Sequence, residues 1–210
     1  GDVWLNIPEP ATLSLLALFL GPYLRQFRAY TIPDFPGARF GGNFARVIGV
    51  IAAVALHPNE APRLAARGGL DDAWQVVEQL AADVRVRAVG ETGLDHYRTP
   101  PEGRASQEES FRRHIDLAKR LGKPLVIHDR DSHDDVLRVL DDEGPPEAVV
   151  FHCFSGDAAM ARRCVASGWV LSFAGTVTFK NAQGLRDALA ETPLENLLVE
   201  TDAPYLAPVP

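Results

Sequence analysis

From about Arg46 onward, short apolar runs alternate with longer amphipathic segments, and turn residues separate them. The runs are Ala52–Leu56, Val84–Val89, Pro124–Ile127, Ala148–Phe151, Trp169–Ala174 and Leu197–Val199. Runs this short and this uniformly apolar predict strands covered on both faces. The intervening segments carry readable helix ends. Asp71 or Asp72 opens a helix containing Trp74, Val77 and Leu80. Ser106-Gln107-Glu108-Glu109 reads as a capping box ahead of Phe111, Ile115 and Ala118, with Gly122 and Pro124 closing that helix. Ser132 or Asp134 starts a helix with Val136, Leu137 and Leu140, which Gly144-Pro145 ends. Asp157 starts another that Gly168 closes, and Asn181 opens the last.

Six strands alternating with five helices predict an α/β fold, a parallel sheet with helices outside. Two architectures meet that description, a doubly wound sheet and a TIM-type (β/α) barrel, and composition does not choose between them. Residues 1–45 break the pattern and read as an atypical N-terminal segment before a domain spanning 46–210. Residues 1–44 hold eight of the seventeen aromatics and five prolines, with neither histidine nor lysine. One helix over Thr12–Phe27, whole or broken at Gly21-Pro22, and turns and loop from Asp34–Gly37 through Gly41-Gly42 are expected there.

Composition narrows the class. With 46% hydrophobic and 23% charged residues in 210, the chain has the makeup of an ordinary globular protein with room for a sizeable core. Two cysteines exclude a disulfide scaffold and fit a reducing compartment. The longest apolar run, Leu13–Leu20, is about half of what a membrane span requires. No basic segment precedes it as in an export signal, so a cytoplasmic location is expected. The chain opens on Gly rather than Met and stops at Pro208-Val209-Pro210, which reads as two cut ends. Residues 1–56 carry net +1 and the remainder −8. An acidic body argues against a broad basic clamp on nucleic acid, but not against holding phosphate through a metal ion.

Nearly every apolar run ends in a group able to bind a metal or move a proton. The groups are His57, Glu91, His128, His152 and Asp202. Parallel strands deliver them to one face, the carboxyl rim, which in barrels carries the active site. One such residue alone is commonly a structural hydrogen-bonder or a helix cap; five at near-successive strand ends point to a shared site. Mixed imidazole and carboxylate donors suit zinc, manganese or a related divalent ion. Such an ion lowers the pKa of bound water to about 7 and polarises a phosphoryl or carbonyl oxygen. Asp202 can orient that water or take its proton. Arg130 either forks onto phosphate oxygens or pairs with Asp129, Asp131 or Asp134. His114 and His133 read as surface or interface residues on helices, His96 has no defined role, and Cys153 reads as a buried thiol facing away from His152. No phosphate-binding glycine fingerprint is present, which disfavours a dinucleotide enzyme.

Read in order, five stretches resemble the TatD family of metal-dependent hydrolases. They are Ala55-Leu56-His57-Pro58, Val89-Gly90-Glu91-Thr92-Gly93-Leu94-Asp95, Pro124-Leu125-Val126-Ile127-His128-Asp129-Arg130, Phe151-His152-Cys153-Phe154-Ser155-Gly156 and Glu200-Thr201-Asp202-Ala203-Pro204-Tyr205-Leu206. The resemblance covers roughly residues 52–210. It implies a (β/α) barrel with a divalent-metal centre (zinc, manganese or magnesium) at its carboxyl rim. It also implies a deoxyribonuclease acting on phosphodiester bonds of DNA; a monomer without a membrane partner is expected. By the same resemblance Glu91 bridges two metals, His128 and His152 hold one, and Asp202 binds or faces the other and assists the attacking water. His57 and Arg130 then lie near the substrate phosphate, and Tyr97 near the rim.

The family pattern fails at one point. Its first strand ends in a His-x-His pair that holds the second metal, and this chain has no histidine before His57. One ion held by Glu91, His128 and His152 is therefore the expectation. Two alternatives remain from the sequence: an ester or amide hydrolase using the same centre, and a non-catalytic remnant that binds a partner through the aromatics of residues 1–44.

Overall fold

The structure, a computed structural model, describes residues 53–202 and 206–209. The readings made for residues 1–45 lie outside them. The elements run β1 (Ala53–Val54), α1 (Ala61–Ala65), α2 (Leu70–Ala81), β2 (Ala88–Asp95), α3 (Pro101–Leu121), β3 (Leu125–Arg130) and α4 (His133–Glu143). Next come β4 (Val149–Phe151), α5 (Ala158–Ala166), β5 (Val170–Phe173), α6 (Gln183–Ala190) and β6 (Leu197–Val199). Short 3-10 turns at Gly175–Thr178 and Leu194–Asn196 flank α6.

All strand pairs are parallel, and the strands lie side by side in chain order from β1 to β6. A doubly wound sheet reverses direction at a switch point; this order never does, so the winding is that of a (β/α) barrel. Among the described residues the sheet does not close on itself. The core forms between strands and helices. Leu125, Ile127, Val149, Phe151, Leu171 and Phe173 pack with Phe111 and Ile115 of α3, Val136 and Leu140 of α4, and Ala161 and Cys164 of α5. Each fully buried Leu or Phe contributes roughly 1.5–3 kcal/mol.

Several sequence boundaries move. The strand expected from Val84 starts at Ala88, because Asp83 and Arg85 form a local turn that leaves Val84 83% exposed. It then runs on to Asp95, so Glu91 lies inside β2, just as His128 lies inside β3. The supposed capping box sits within α3, which begins earlier at Pro101 after an extended Pro100. Glu108 and Glu109 instead pair with Arg112, Arg138 and Arg113 on the outer surface. Gly122 does end α3 in the left-handed conformation, and Asp157 does cap α5, accepting from the Met160 amide at 2.9 Å.

His114, expected on the surface, is fully buried on the inner face of α3. Its Nε2 accepts the Leu56 amide at 3.0 Å, and its Nδ1 faces the Ser110 carbonyl at 2.6 Å. Burial pushes the imidazole down to about 4, so it stays neutral and can accept. Two turns earlier, buried Gln107 donates to the Pro58 carbonyl (3.0 Å) and to Thr99 Oγ1 (2.7 Å), and accepts from the Asp95 amide (3.1 Å). The helix thus grips the chain on both sides of His57.

Candidate metal centre

At the carboxyl ends of the strands lies a cavity of about 480 Å³. His57, Glu91, His128, His152, Asp202 and Arg130 all line it, as their strand positions led the sequence to predict. Its centre is one carboxylate oxygen. Glu91 Oε1 stands 2.7 Å from His128 Nδ1, 3.7 Å from His152 Nε2 and 3.8 Å from His57 Nε2. His152 Nε2 is also 3.9 Å from Asp202 Oδ1.

Local backbone geometry brings Glu91 there. Val89 pairs with Leu125, but Thr92 pairs with Ile127, so Gly90 and Glu91 together oppose Val126 in a bulge. Further along, Gly93 pairs with His128 at φ +136, and a Cβ on it would stand 2.1 Å from the His128 carbonyl oxygen. Only glycine admits this approach, which sets the two site strands against each other.

The ring nitrogens have distinct surroundings. His57 Nδ1 accepts the Asn59 amide at 3.2 Å, so a neutral His57 carries its proton on Nε2 and presents a donor to the cavity. His57, Glu91 and His128 do bring donor atoms within 4.8 Å of one another. That tautomer nonetheless suits His57 to an anion better than to a cation. His152 has the opposite arrangement: Nδ1 lies 2.8 Å from Glu200 Oε2, which leaves Nε2 free toward Glu91 and Asp202. His128 is bracketed, with Nε2 3.2 Å from Asp95 Oδ2. Asp95 is itself fixed by the Arg98 amide (2.8 Å) and the Asn59 side chain (3.1 Å).

Charge follows geometry. Burial alone would raise the Glu91 carboxyl, but the hydrogen bond with His128 and the nearby imidazoles hold it below the usual carboxylate range. Asp95 behaves likewise: burial opposes ionisation, and the bonds from Arg98, Asn59 and His128 outweigh it. Burial lowers His57, against the pull of Glu91. At His152 burial is outweighed by Glu200 and by the charges of Glu91 and Asp202, and the imidazole is raised. The result is ionised carboxylates among imidazoles, a donor set matched to a divalent ion.

At the rim the Arg130 guanidinium lies 4.0 Å over the Tyr97 ring, a cation–π contact, and no ion pair joins it to Asp129, Asp131 or Asp134 among the described residues. Tyr97 is 65% exposed and supports Arg130 rather than lining the cavity. Asp129 instead receives Ser132 Oγ (2.8 Å) and faces His133 Nδ1 (2.7 Å), so His133 is a partly exposed residue with a partner. Cys153 also departs from expectation. Strand β4 ends at Phe151, so strict alternation no longer applies, and Cys153 at φ +46 lines the cavity beside His152. Its thiol is pushed up to about 12, first by burial and then by Asp202, Glu200 and Glu91, so it is not a thiolate nucleophile. Sequence reasoning gave no role to Asp95 or Glu200, although both stand inside the quoted motifs, Asp95 two positions past Gly93 and Glu200 two before Asp202.

The model of the family described as TatD related DNase matches residues 44–210. The chain is 55% identical over 165 residues to a protein of Mycobacterium tuberculosis named as an uncharacterized metal-dependent hydrolase, TatD, covering 77% of this chain and 61% of that one. To the Escherichia coli protein YcfH, also named as an uncharacterized metal-dependent hydrolase, it is 48% identical over 135 residues, 64% of this chain and 51% of the other. The chain therefore spans about half to three-fifths of the length of these curated relatives. Among solved structures, the Escherichia coli TatD homologue YjjV superposes with a TM-score of 0.65 at 32% identity, over 80% of this chain and 66% of that one. The sequential parallel strands, the five motif stretches and the match over residues 44–210 agree: the chain belongs to the TatD-related DNase family.

Proposed function

We propose that the chain is the larger part of a metal-dependent hydrolase that cleaves phosphodiester bonds of DNA. The observation that carries this reading is the convergence of His128 and His152 on one oxygen of Glu91, beside Asp202, in a cavity that also presents Arg98 and Arg130. The donor set fits a divalent ion: Glu91, His128, His152 and Asp202 would hold it. When bound, zinc, manganese or magnesium supplies an acidified water and polarises a phosphoryl oxygen. Asp202, which lines the cavity with its Oδ1 3.9 Å from His152 Nε2, would be placed to take a proton from the attacking water. His57 donates its Nε2 proton in a hydrogen bond to a non-bridging phosphate oxygen, and the Arg130 fork, stiffened by Tyr97, holds the same group.

The test combines metal content with substrate choice. After dialysis against zinc or manganese, the chain should retain close to one ion, and His128→Ala should lose it. A labelled single-stranded oligonucleotide should be cut, and Asp202→Asn should slow cleavage about 10²–10⁴-fold. Cleavage of a simple carboxylic ester with no cleavage of DNA would replace the nuclease reading with an ester hydrolase. Unchanged turnover in His128→Ala would remove the metal mechanism.

A further inference from the structure

A ligating imidazole works only if its other nitrogen is held, because that contact selects the tautomer and the ring orientation. At His152 that partner is Glu200. We propose that Glu200 is a positioning residue that fixes His152 as the Nδ1–H tautomer, with its bare Nε2 turned toward Glu91 and Asp202. The inference rests on the reading of His152 as a metal ligand, and it concerns only how that ligand is prepared.

Three observations carry it. First, both Glu200 oxygens are used: Oε2 faces His152 Nδ1 at 2.8 Å, and Oε1 accepts the amide of Cys153, the next residue along. The carboxylate therefore grips the ring and the backbone that bears it. Cys153, at φ +46, turns the chain sharply just after β4. Second, Glu200 is itself tied down, its amide donating to the Phe173 carbonyl at 3.1 Å as a continuation of the β5–β6 pairing. Third, Glu200 and Asp202 divide one imidazole between them. Glu200 sits at Nδ1 and does not line the cavity, while Asp202, two residues on, lines it and faces Nε2 at 3.9 Å. A single Glu-x-Asp segment thus addresses both nitrogens of His152. A carboxylate placed behind the ring cannot also reach the point at which Nε2 aims.

The tautomer can be read without any metal. In the full chain with nitrogen-15-labelled histidines, at a pH where imidazoles are neutral, His152 should show a single Nδ1–H form, assigned by comparison with His152→Ala. Glu200→Ala should give a mixture of both tautomers and weaken zinc binding, measured with a competing chelator, about 10–100-fold. The same change in a His152→Ala background should cost nothing further, which separates an effect through His152 from a general loosening. Glu200→Gln, whose carbonyl can still accept from Nδ1–H, should keep the tautomer and most of the affinity and guards against a misfolded alanine variant. An Nε2–H tautomer in the wild type would overturn the proposal. So would an equal loss of zinc affinity with and without His152. Failure of the wild type to bind zinc would sink the hydrolase reading, while the nitrogen spectrum would still decide the role of Glu200.

Discussion

Gly93 shows how little space separates the residues of this site. At φ +136 it pairs with His128, and any side chain would meet the His128 carbonyl oxygen, which is backbone and has no rotamer to yield. Gly93→Ala should therefore cost about 1–3 kcal/mol, from strain and overpacking together. A lowered urea midpoint should accompany weaker metal binding, since His128 moves with its carbonyl; full stability in the alanine variant would contradict the account. The site residues visible in the sequence share a reason for being visible. Each is a polar group that follows an apolar stretch, as His57 follows Ala52–Leu56 and His152 follows Ala148–Phe151. Asp95 lacks that contrast, four residues past Glu91 in the same strand, whereas Glu200 has it, directly after Leu197–Val199, and is overshadowed by Asp202 two residues on. Their role depends on which imidazole stands behind them across the sheet, and one-dimensional spacing does not encode that.

Among the elements, the strands were the most legible, since runs covered on both faces carry their apolar character without interruption. Their ends were less so: β2 continues through Gly90, Glu91 and Gly93, residues that propensity assigns to a loop and that the bulge accommodates. Helix α1 is not legible in the sequence, because five residues including Pro62 carry no period. Helix α3 is legible but its inner face is not, because His114 and Gln107 interrupt an otherwise apolar stripe. Those two residues bond the backbone on either side of His57. His114 makes α3 sensitive to acid. Its folded pKa is about 4, against an unfolded value near 6.5. The stability it contributes is complete above pH 6.5 and is lost as pH falls toward 4, because only the unfolded chain binds the proton over that interval. The total is on the order of 3 kcal/mol. Urea midpoints followed by fluorescence of Trp74, whose ring stands edge-on to His114 at 4.8 Å, should fall across that window. In His114→Gln the fall should be much shallower; an identical slope would assign the effect to other groups.

For the molecule as a whole, the alternation of apolar and amphipathic segments was enough to give an α/β fold, and the barrel winding became visible only with the strand order. Motifs spread from Ala55 to Leu206 identified the family because parallel strands gather distant residues on one rim. The described strands form a sheet in which each pairs only with its neighbours in sequence, so rim geometry passes from unit to unit through local contacts. The outer surface follows a looser rule: Arg112, Arg113, Arg120 and Arg138 link α2, α3 and α4 through exposed carboxylates, each pair worth little and weakened by salt. No helix among the described residues is long and apolar enough to cross a membrane.

Strand β1 is only two residues long, and its ladder ends before Leu56. The Leu56 amide hydrogen is therefore sheltered by α3, through His114, which stands 58 residues further along the chain. That proton is a natural sentinel for the cavity. Its exchange with deuterated solvent should follow the lifting of α3 and quicken as His114 becomes protonated, whereas the amide of Val89, held by the Pro124 carbonyl inside the sheet, should keep its slower clock. One peptide hydrogen beside His57 would then report whether α3 is seated against the rim that carries the cavity.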